Sequence, residues 1–382
     1  MTRVAVLPGV LATQPKGRPV LRLLADDLTG ALDTAAELSA LCGPVPIRWD
    51  IGEAGRGSAA FASLTREAPR AEAAAHRAAS MAPALAGADI AFKKLDSLLR
   101  GHVAAELAAL WRTGAWRNCV LAPAFPAQRR IARSGRVWAG TPGGDWAPVT
   151  MPDWTAAGLE LRAGSPDEPL PEGITWFDAE DEAEMARIAA RGRAAAGPVL
   201  WCGSGGLARA LAGDQTVRAD LLLEAPVLGL FGSDQAATFR QLAACDHAWL
   251  RLGKGEDASR LRHALEAKGV ALTSLDLPSG LDRDAASRAI AGGFAAILRD
   301  LPRPGTLLVA GGETLLAIAE ALGAHGLVAT GAVAPGVPRS RLQGGAWDGL
   351  TVISKSGAFG GDALWRDLLA ANDLLLRGTE DT

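Results

Sequence analysis

Two short stretches carry the side chains that could do chemistry. In LRLLADDLTGALD, from Leu21 to Asp33, the residues Leu21 to Leu24, apolar except for Arg22, read as a buried strand. Asp26 and Asp27 follow at its end. Thr29 and Gly30 then turn the chain into a run with helical spacing: Leu32, Ala35, Ala36, Leu38. In open α/β sheets, ligands sit beyond the carboxyl ends of strands. Two aspartates placed there must meet solvent, a cation or a polar ligand. The same pair also suits a helix cap beside a solvated loop residue, so this stretch alone leaves both readings open.

The second stretch is KKLDSLLRGH, from Lys93 to His102. In a strand, Lys94 and Asp96 share one face because side chains alternate. Ser97 is placed to cap a helix beginning near Leu98, with Arg100 in its first turn. A cation there opposes the helix dipole and points to an anionic partner such as a substrate carboxylate, which a guanidinium grips bidentately. The competing reading is an internal salt bridge from Lys94 or Arg100 to a neighbouring aspartate. The ligand reading ranks ahead of it.

Three glycine-rich turns open helices after strands: CGSGGLARAL at Cys202, AGGETLLAIAEAL at Ala310 and KSGAFGGD at Lys355. Backbone N–H groups at such turns make anion sites for phosphates. Gly203, Gly205 and Ala208 fit a relaxed dinucleotide fingerprint, with Glu224 about 20 residues on. The helix after them is short, ending by Gly213, which counts against it. A GxxxxGK[ST] phosphate loop is absent, as are HExxH and GxSxG. The histidines at 76, 102, 247, 263 and 325 show no metal-ligand spacing. A hydrolase has little support.

The elements that would position these residues alternate strand and helix. Strands are expected ending at Thr65 and Arg66, at Ile90–Leu95, Asn118–Ala122, in ITWFDAED and in PVLWC. Helices are expected at Glu72–Met81, Leu98–Trp111 and Glu182–Ala195. From Arg133 to Pro171, Gly, Pro and Trp dominate and predict a long loop or hairpin excursion. A second set starts near Pro226: strand VLGLF, helix Ala236–Cys245, strands Trp249–Leu252 and Leu272–Leu275, helix Ala285–Leu298, strand Thr306–Ala310 and helix Thr314–Leu322. The strand LTVISK and a helix from Asp362 close the chain. Such alternation predicts parallel sheets covered on both faces. The fold expected is α/β, two Rossmann-like domains with mainly parallel sheets and an interdomain cleft, divided as 1–218 and 219–382. That cleft is the default ligand site.

The bulk numbers agree with a globular enzyme-sized chain. The 382 residues allow two or three domains. With 49% hydrophobic and 21% charged residues, large cores are available. A formal net charge of −3 without a basic stripe leaves no field for nucleic acid. Cys42, Cys119, Cys202 and Cys245 are scattered and form no CxxC pair, as in a reducing compartment. No window of about 20 apolar residues predicts a membrane span, and Pro8 interrupts the only apolar stretch that resembles a leader. A cytoplasmic protein with no nucleic-acid or membrane partner is expected, with a homodimer left open.

Taken in order, these motifs resemble the four-carbon acid sugar kinase family, the kinases of threonate, erythronate and 3-oxo-tetronate. The family's ADDFTGATD stands here as Ala25 to Asp33, and its KxDSTLRG as Lys94 to Gly101. Its Ser/Thr-Arg pair is similar to Thr65-Arg66. PAFP stands intact at Pro123 to Pro126, with Arg130 following, and GSxGLA matches Gly203 to Ala208. Gly232-Ser233 with Thr238, Gly311 to Thr314, Ala334 to Pro338 and Lys355 to Gly360 complete the set. Departures fall at Leu28, Leu98, His102 and Arg129, where the family carries an aromatic, Thr, Asn and Gly. They bear on the sugar side more than on the nucleotide side.

The resemblance implies an N-terminal acid-sugar domain and a C-terminal ATP domain, with Ser233, Gly311, Gly312, Glu313, Thr314 and Gly357 around the nucleotide. Phosphoryl transfer needs positioning, charge neutralisation and a proton acceptor. Asp27 is the expected base or hydroxyl-orienting residue, beside Asp26 or Asp96, and Lys94 would offset developing charge. Arg66 and Arg100 would grip the substrate carboxylate. Thr29, Gly30 and Ser97 would frame the sugar. Mg²⁺ is expected with ATP. The alternatives are an NAD-dependent oxidoreductase, resting on Gly203 and Glu224, and a catalytically silent acid-sugar-binding protein.

Overall fold

Six strands of this chain are buried along their whole length, and that decides the architecture. A computed structural model describes residues 17–50, 55–141, 144–215, 219–232, 235–253, 258–357 and 359–375. The strands and helices of the first half are β1 (Leu21–Ala25), α1 (Leu28–Cys42), β2 (Val45–Arg48), β3 (Ala59–Ala62), α2 (Ala71–Met81), β4 (Ile90–Lys94), α3 (Val103–Trp111) and β5 (Asn118–Ala122). They continue as β6 (Arg130–Arg133), β7 (Arg136–Gly140), β8 (Trp146–Pro148), β9 (Leu161–Ala163), β10 (Gly173–Trp176), α4 (Glu182–Arg193), β11 (Val199–Gly203) and α5 (Gly205–Ala212). Every residue of β1, β4 and β5 is buried. Strands buried on both faces belong to a parallel sheet flanked by helices.

The second half follows the same plan. Its elements are β12 (Val227–Phe231), α6 (Ala236–Ala243), β13 (Trp249–Leu252), α7 (Ser259–Lys268), β14 (Val270–Leu275), α8 (Arg283–Asp300), β15 (Thr306–Ala310) and α9 (Gly312–Ala321). It ends with β16 (Gly326–Ala334), β17 (Val337–Gln343), β18 (Thr351–Lys355) and α10 (Leu364–Ala370). Among the described residues, the strands form one 15-stranded sheet in the order β13-β14-β12-β15-β18-β17-β16-β2-β3-β1-β4-β11-β5-β10-β9. β1 lies parallel between β3 and β4, with Leu21 opposite Ile90 and Leu24 opposite Phe61. The halves meet edge to edge where β2 pairs antiparallel with β16, Ile47 opposite Leu327. No described helix is long and apolar enough to cross a membrane.

Several elements differ from the expectation, each for a local reason. α3 starts at Val103, not Leu98, because Leu99 (φ 55°) and Gly101 (φ 82°) leave the helical region. Ser97 therefore caps no helix. Thr65 and Arg66 lie in a turn beyond β3, with Leu64 at φ 57°. The irregular stretch after Arg130 contains a separate antiparallel sheet, β6-β7-β8, and the edge strand β9. The antiparallel hairpin β16–β17 and helix α7 were not anticipated. Of α7 only Leu261 and Leu265 are buried, which leaves a faint apolar stripe in the sequence.

One buried ion pair ties α3 to the sheet. Lys93 Nζ lies 2.5 Å from Glu106 Oε2, with both side chains almost fully buried. Glu106 also accepts the Thr65 hydroxyl. Removing one partner of a buried pair strands the other charge, at a cost of about 3–5 kcal/mol, whereas replacing both with apolar residues is often neutral. Lys93→Met is therefore expected to lower stability by about that amount in urea unfolding, and Lys93→Met with Glu106→Leu to recover most of it. A double variant no more stable than the single one would contradict this.

Candidate active site

The cleft is built at the carboxyl ends of β1, β4, β11 and β18. Asp27, Thr29, Gly30, Arg66, Lys94, Asp96 and Ser97 line it from the first half, and Gly336, Ser356 and Phe359 from the second. Asp26 lies beneath, and Arg100 stands outside the lining.

Arg66 organises the wall that the first half contributes. Its Nε and Nη2 donate to the two carboxylate oxygens of Asp26, both at 2.8 Å. Its Nη1 donates to Asp27 Oδ2 at 2.5 Å, and Nη2 stands 3.8 Å from Asp96 Oδ1. All three guanidinium nitrogens are used, so Arg66, expected to grip a substrate carboxylate, is instead spent on aspartates. Burial alone would raise the Asp26 pKa; Arg66, with Lys93 and Lys94, outweighs it and holds this carboxyl below its usual range. Burial likewise disfavours the Arg66 cation, but Asp26, Asp27 and Asp96 keep it charged far above the usual range.

Asp27 is both cap and cleft residue. It N-caps α1, its Oδ1 accepting from Gly30 N at 2.8 Å, while Oδ2 accepts from Thr29 Oγ1 at 2.7 Å. Gly30 is required here: a Cβ would lie 2.6 Å from Asp27 Oδ1 and 3.1 Å from Lys94 Nζ. Asp96 accepts from Arg100 Nε at 2.8 Å and Nη2 at 2.7 Å, and from the backbone N–H groups of Leu98 and Arg100. Burial pushes against its ionisation, yet Arg100 and Arg66 hold it well below the usual carboxylate range. Arg100 thus sits in the internal salt bridge that was ranked second. Lys94 is buried, lines the cleft and forms no ion pair among the described residues.

In the second half, Gly311 (φ 103°) turns the chain into α9, whose N-terminus has no side-chain cap. A Cβ on Gly312 would lie 3.4 Å from Thr29, so the first turns of α9 and α1 abut. Thr314 packs against Gly232, where a Cβ would stand 2.4 Å from its hydroxyl. Glu313 points to the rim, pairing with Arg283 at 3.1 Å and Ser287 at 2.9 Å, and Arg283 reaches Glu67 of the first half at 2.7 Å. The Gly357 carbonyl accepts from Thr238 Oγ1 at 3.0 Å and Lys355 Nζ at 2.9 Å. Gln241 Nε2 binds the carbonyls of Phe359, Gly360 and Gly361, each at 3.0 Å. Gly311 to Thr314 and Gly357 do not line the cleft itself; Ser356 and Phe359, beside Gly357, do. Ser233 lies outside the described residues.

The chain belongs to the four-carbon acid sugar kinase family. It is 31% identical to the D-threonate kinase of Cupriavidus necator, covering 90% of this chain and 96% of that one. The D-threonate kinase of Bordetella bronchiseptica is 29% identical, over 90% of this chain and 95% of its own. A 3-oxo-tetronate kinase of Methylobacterium radiotolerans is 36% identical over 41% of this chain and 43% of its own. Family models for a sugar-binding N-terminal domain and a nucleotide-binding C-terminal domain match residues 21–157 and 214–364. Solved structures from Salmonella typhimurium LT2 (TM-score 0.66, 20% identity, 93% of this chain and 99% of that one) and Haemophilus influenzae (0.64, 19%, 92% and 99%) share the fold.

Within this family frame, several residues emerge that the sequence reading passed over. Phe125, Ser204, Gly205 and Asp33 line the cleft. Asp33 stood in the quoted motif, four residues after Thr29, the spacing that shares a helix face. The turn at Gly203 is closed to a dinucleotide. Ser204 Oγ donates to Ala124 O at 2.7 Å, and a Cβ on Gly206 would stand 2.3 Å from the same carbonyl. Its glycines serve close packing against the PAFP segment. Arg129 takes φ 54°, which explains a glycine at that position in the family. No group of three or more His, Cys, Asp or Glu able to hold a metal occurs among the described residues.

Behind Asp33, one helical turn on, Glu37 is buried, and burial, with Asp33 next, pushes its pKa up to about 8. An acid whose pKa rises on folding binds more protons folded than unfolded between the two values, so stability falls as pH rises through that window. Glu37→Gln is expected to be more stable than the parent above pH 8, by up to a few kcal/mol, with the gap closing towards pH 4.5. Thermal unfolding of both proteins from pH 4.5 to 9 checks this; parallel curves would refute it.

Proposed function

We infer that this protein is an ATP-dependent kinase that phosphorylates a hydroxyl of a four-carbon sugar acid of the threonate, erythronate or 3-oxo-tetronate type. Residues 1–218 form its acid-sugar domain and residues 219–382 its nucleotide domain. One observation carries the reading. The cleft gathers aspartates and a lysine without an ion-pair partner among the described residues from one half, opposite a glycine loop from the other. The uncapped first turn of α9 abuts α1 beside it. An uncapped helix N-terminus suits phosphate, because its first N–H groups lack partners within the helix.

The roles follow from the geometry. Asp27, fixed by Arg66 and Gly30, orients the acceptor hydroxyl, and Asp96 fixes the turn that carries Ser97 and Arg100. Lys94 offsets the charge that develops on the transferred group. Arg100, half exposed and leaving Nη1 without a partner among the described residues, meets the substrate carboxylate. The α9 turn and the loop at Gly357 hold the nucleotide. Mg²⁺ bound with the nucleotide would neutralise phosphate charge, with one or two of the cleft carboxylates to hold it.

A coupled ADP-release assay over a panel of four-carbon sugar acids tests the reading. Turnover with ATP is expected, reduced at least about a hundredfold in Asp27→Asn. NAD(H) binding without ATP binding would overturn it, and acid binding without ADP release would favour a silent binding protein. Arg100→Ala should raise the acid KM at least about tenfold, roughly 1.4 kcal/mol. An unchanged KM would remove Arg100 from the carboxylate site.

A further inference from the structure

Four aspartates stand at the cleft, and in three of them both oxygens already accept hydrogen bonds. Asp26 has both oxygens on Arg66. Asp27 is held by Arg66, Thr29 and Gly30, and Asp96 by Arg100 and two backbone N–H groups. Such donors hold Asp26 and Asp96 below the usual carboxylate range. Asp33 differs. It lines the cleft on the face of α1 that carries Thr29 and Gly30, and neither of its oxygens accepts a hydrogen bond among the described residues. Its Oδ1 is buried without a donor.

We propose that Asp33 is the catalytic base, taking the proton of the acceptor hydroxyl during phosphoryl transfer. The proposal rests on the kinase reading above. The hydroxyl oxygen uses a lone pair to form the new bond to the γ-phosphorus, and its proton passes to the Asp33 carboxylate. The bond from the γ-phosphorus to the β–γ bridging oxygen breaks, and its electron pair stays on ADP. Asp33 then returns the proton to solvent as product leaves.

The surroundings suit that task. A Cβ on Gly205 would lie 2.8 Å from both Asp33 Oδ2 and the Phe125 ring, so the carboxylate sits beside a glycine and an aromatic ring. The charged groups facing it are Lys94 from β4, Asp27 at the start of its own helix and Glu37 one turn on. Arg209 of α5 and Glu182 of α4 stand beyond Glu37. Burial raises the Asp33 pKa, Lys94 lowers it in part and Asp27 adds to the rise, leaving it at about 6. A base poised just below neutral pH is ionised yet still basic enough to work.

Single-turnover phosphoryl transfer, followed from pH 5 to 9 with the sugar acid that gives turnover, tests this. The wild-type rate should fall on the acid side with a midpoint near 6. Asp33→Asn should slow transfer about a hundredfold or more and lose that limb, while its binding of ATP and acid, read by calorimetry, stays close to wild type. Asp33→Glu should recover part of the rate with a displaced midpoint, a readout that does not require the Asn variant to fold. A flat wild-type profile, or a limb that stays in place in both variants, would overturn the proposal. Wild-type protein that releases no ADP with any sugar acid would overturn the kinase reading itself, a result distinct from active enzyme with an unmoved limb.

Discussion

One guanidinium holds together the wall of the cleft that the first half contributes. Arg66 reaches from the turn after β3 to Asp26 and Asp27 at the end of β1, and comes within 3.8 Å of Asp96 beyond β4. Ions taken out of water are costly unless geometry and hydrogen bonds compensate. Here the compensation extends into the backbone, since Thr65 N and Arg66 N both donate to the Asp26 carbonyl. A lower layer repeats the theme, Lys93 to Glu106 to Thr65 to Ser63 to the Ala25 carbonyl. These bonds tie the ends of β1, β3 and β4 together beneath the cleft.

This bonding divides the carboxylates into two kinds. Asp26 and Asp96, gripped by arginine, are held below the usual carboxylate range. Asp33 and Glu37, on the buried face of α1, have no arginine ion pair among the described residues and have raised pKa values. They cost stability when ionised, an expense that proteins tolerate at sites of function. Lys355 is the mirror case: burial lowers its pKa to about 7, and it donates to the Ser356 and Gly357 carbonyls without a carboxylate partner among the described residues.

The halves are joined by little backbone but by well-placed contacts. β2 and β16 share three register positions. Gln128 Nε2 donates to the Pro335 carbonyl at 2.8 Å, where the β16–β17 hairpin brings Gly336 to the cleft. Arg283 bridges Glu67 and Glu313 at the rim. Glu67 and Gln128 come from one side of the proposed domain division, and Arg283, Glu313 and Pro335 from the other.

The sequence by itself determined the α/β class, most strand positions and the motif residues, because buried parallel strands are apolar runs and turns need Gly, Asp and Thr. It also placed Asp26, Asp27, Lys94 and Asp96 at strand ends, a consequence of period and length alone. It could not decide who pairs with whom. Whether Arg66 and Arg100 face a ligand or an aspartate depends on distances between residues up to 40 positions apart, which only tertiary packing sets. For the same reason the hairpin at Gly336, the packing role of Gly206 and the partnerless state of Asp33 among the described residues were invisible in the chain. Side-chain identity is local, whereas burial and the presence of a donor are properties of the assembled neighbourhood.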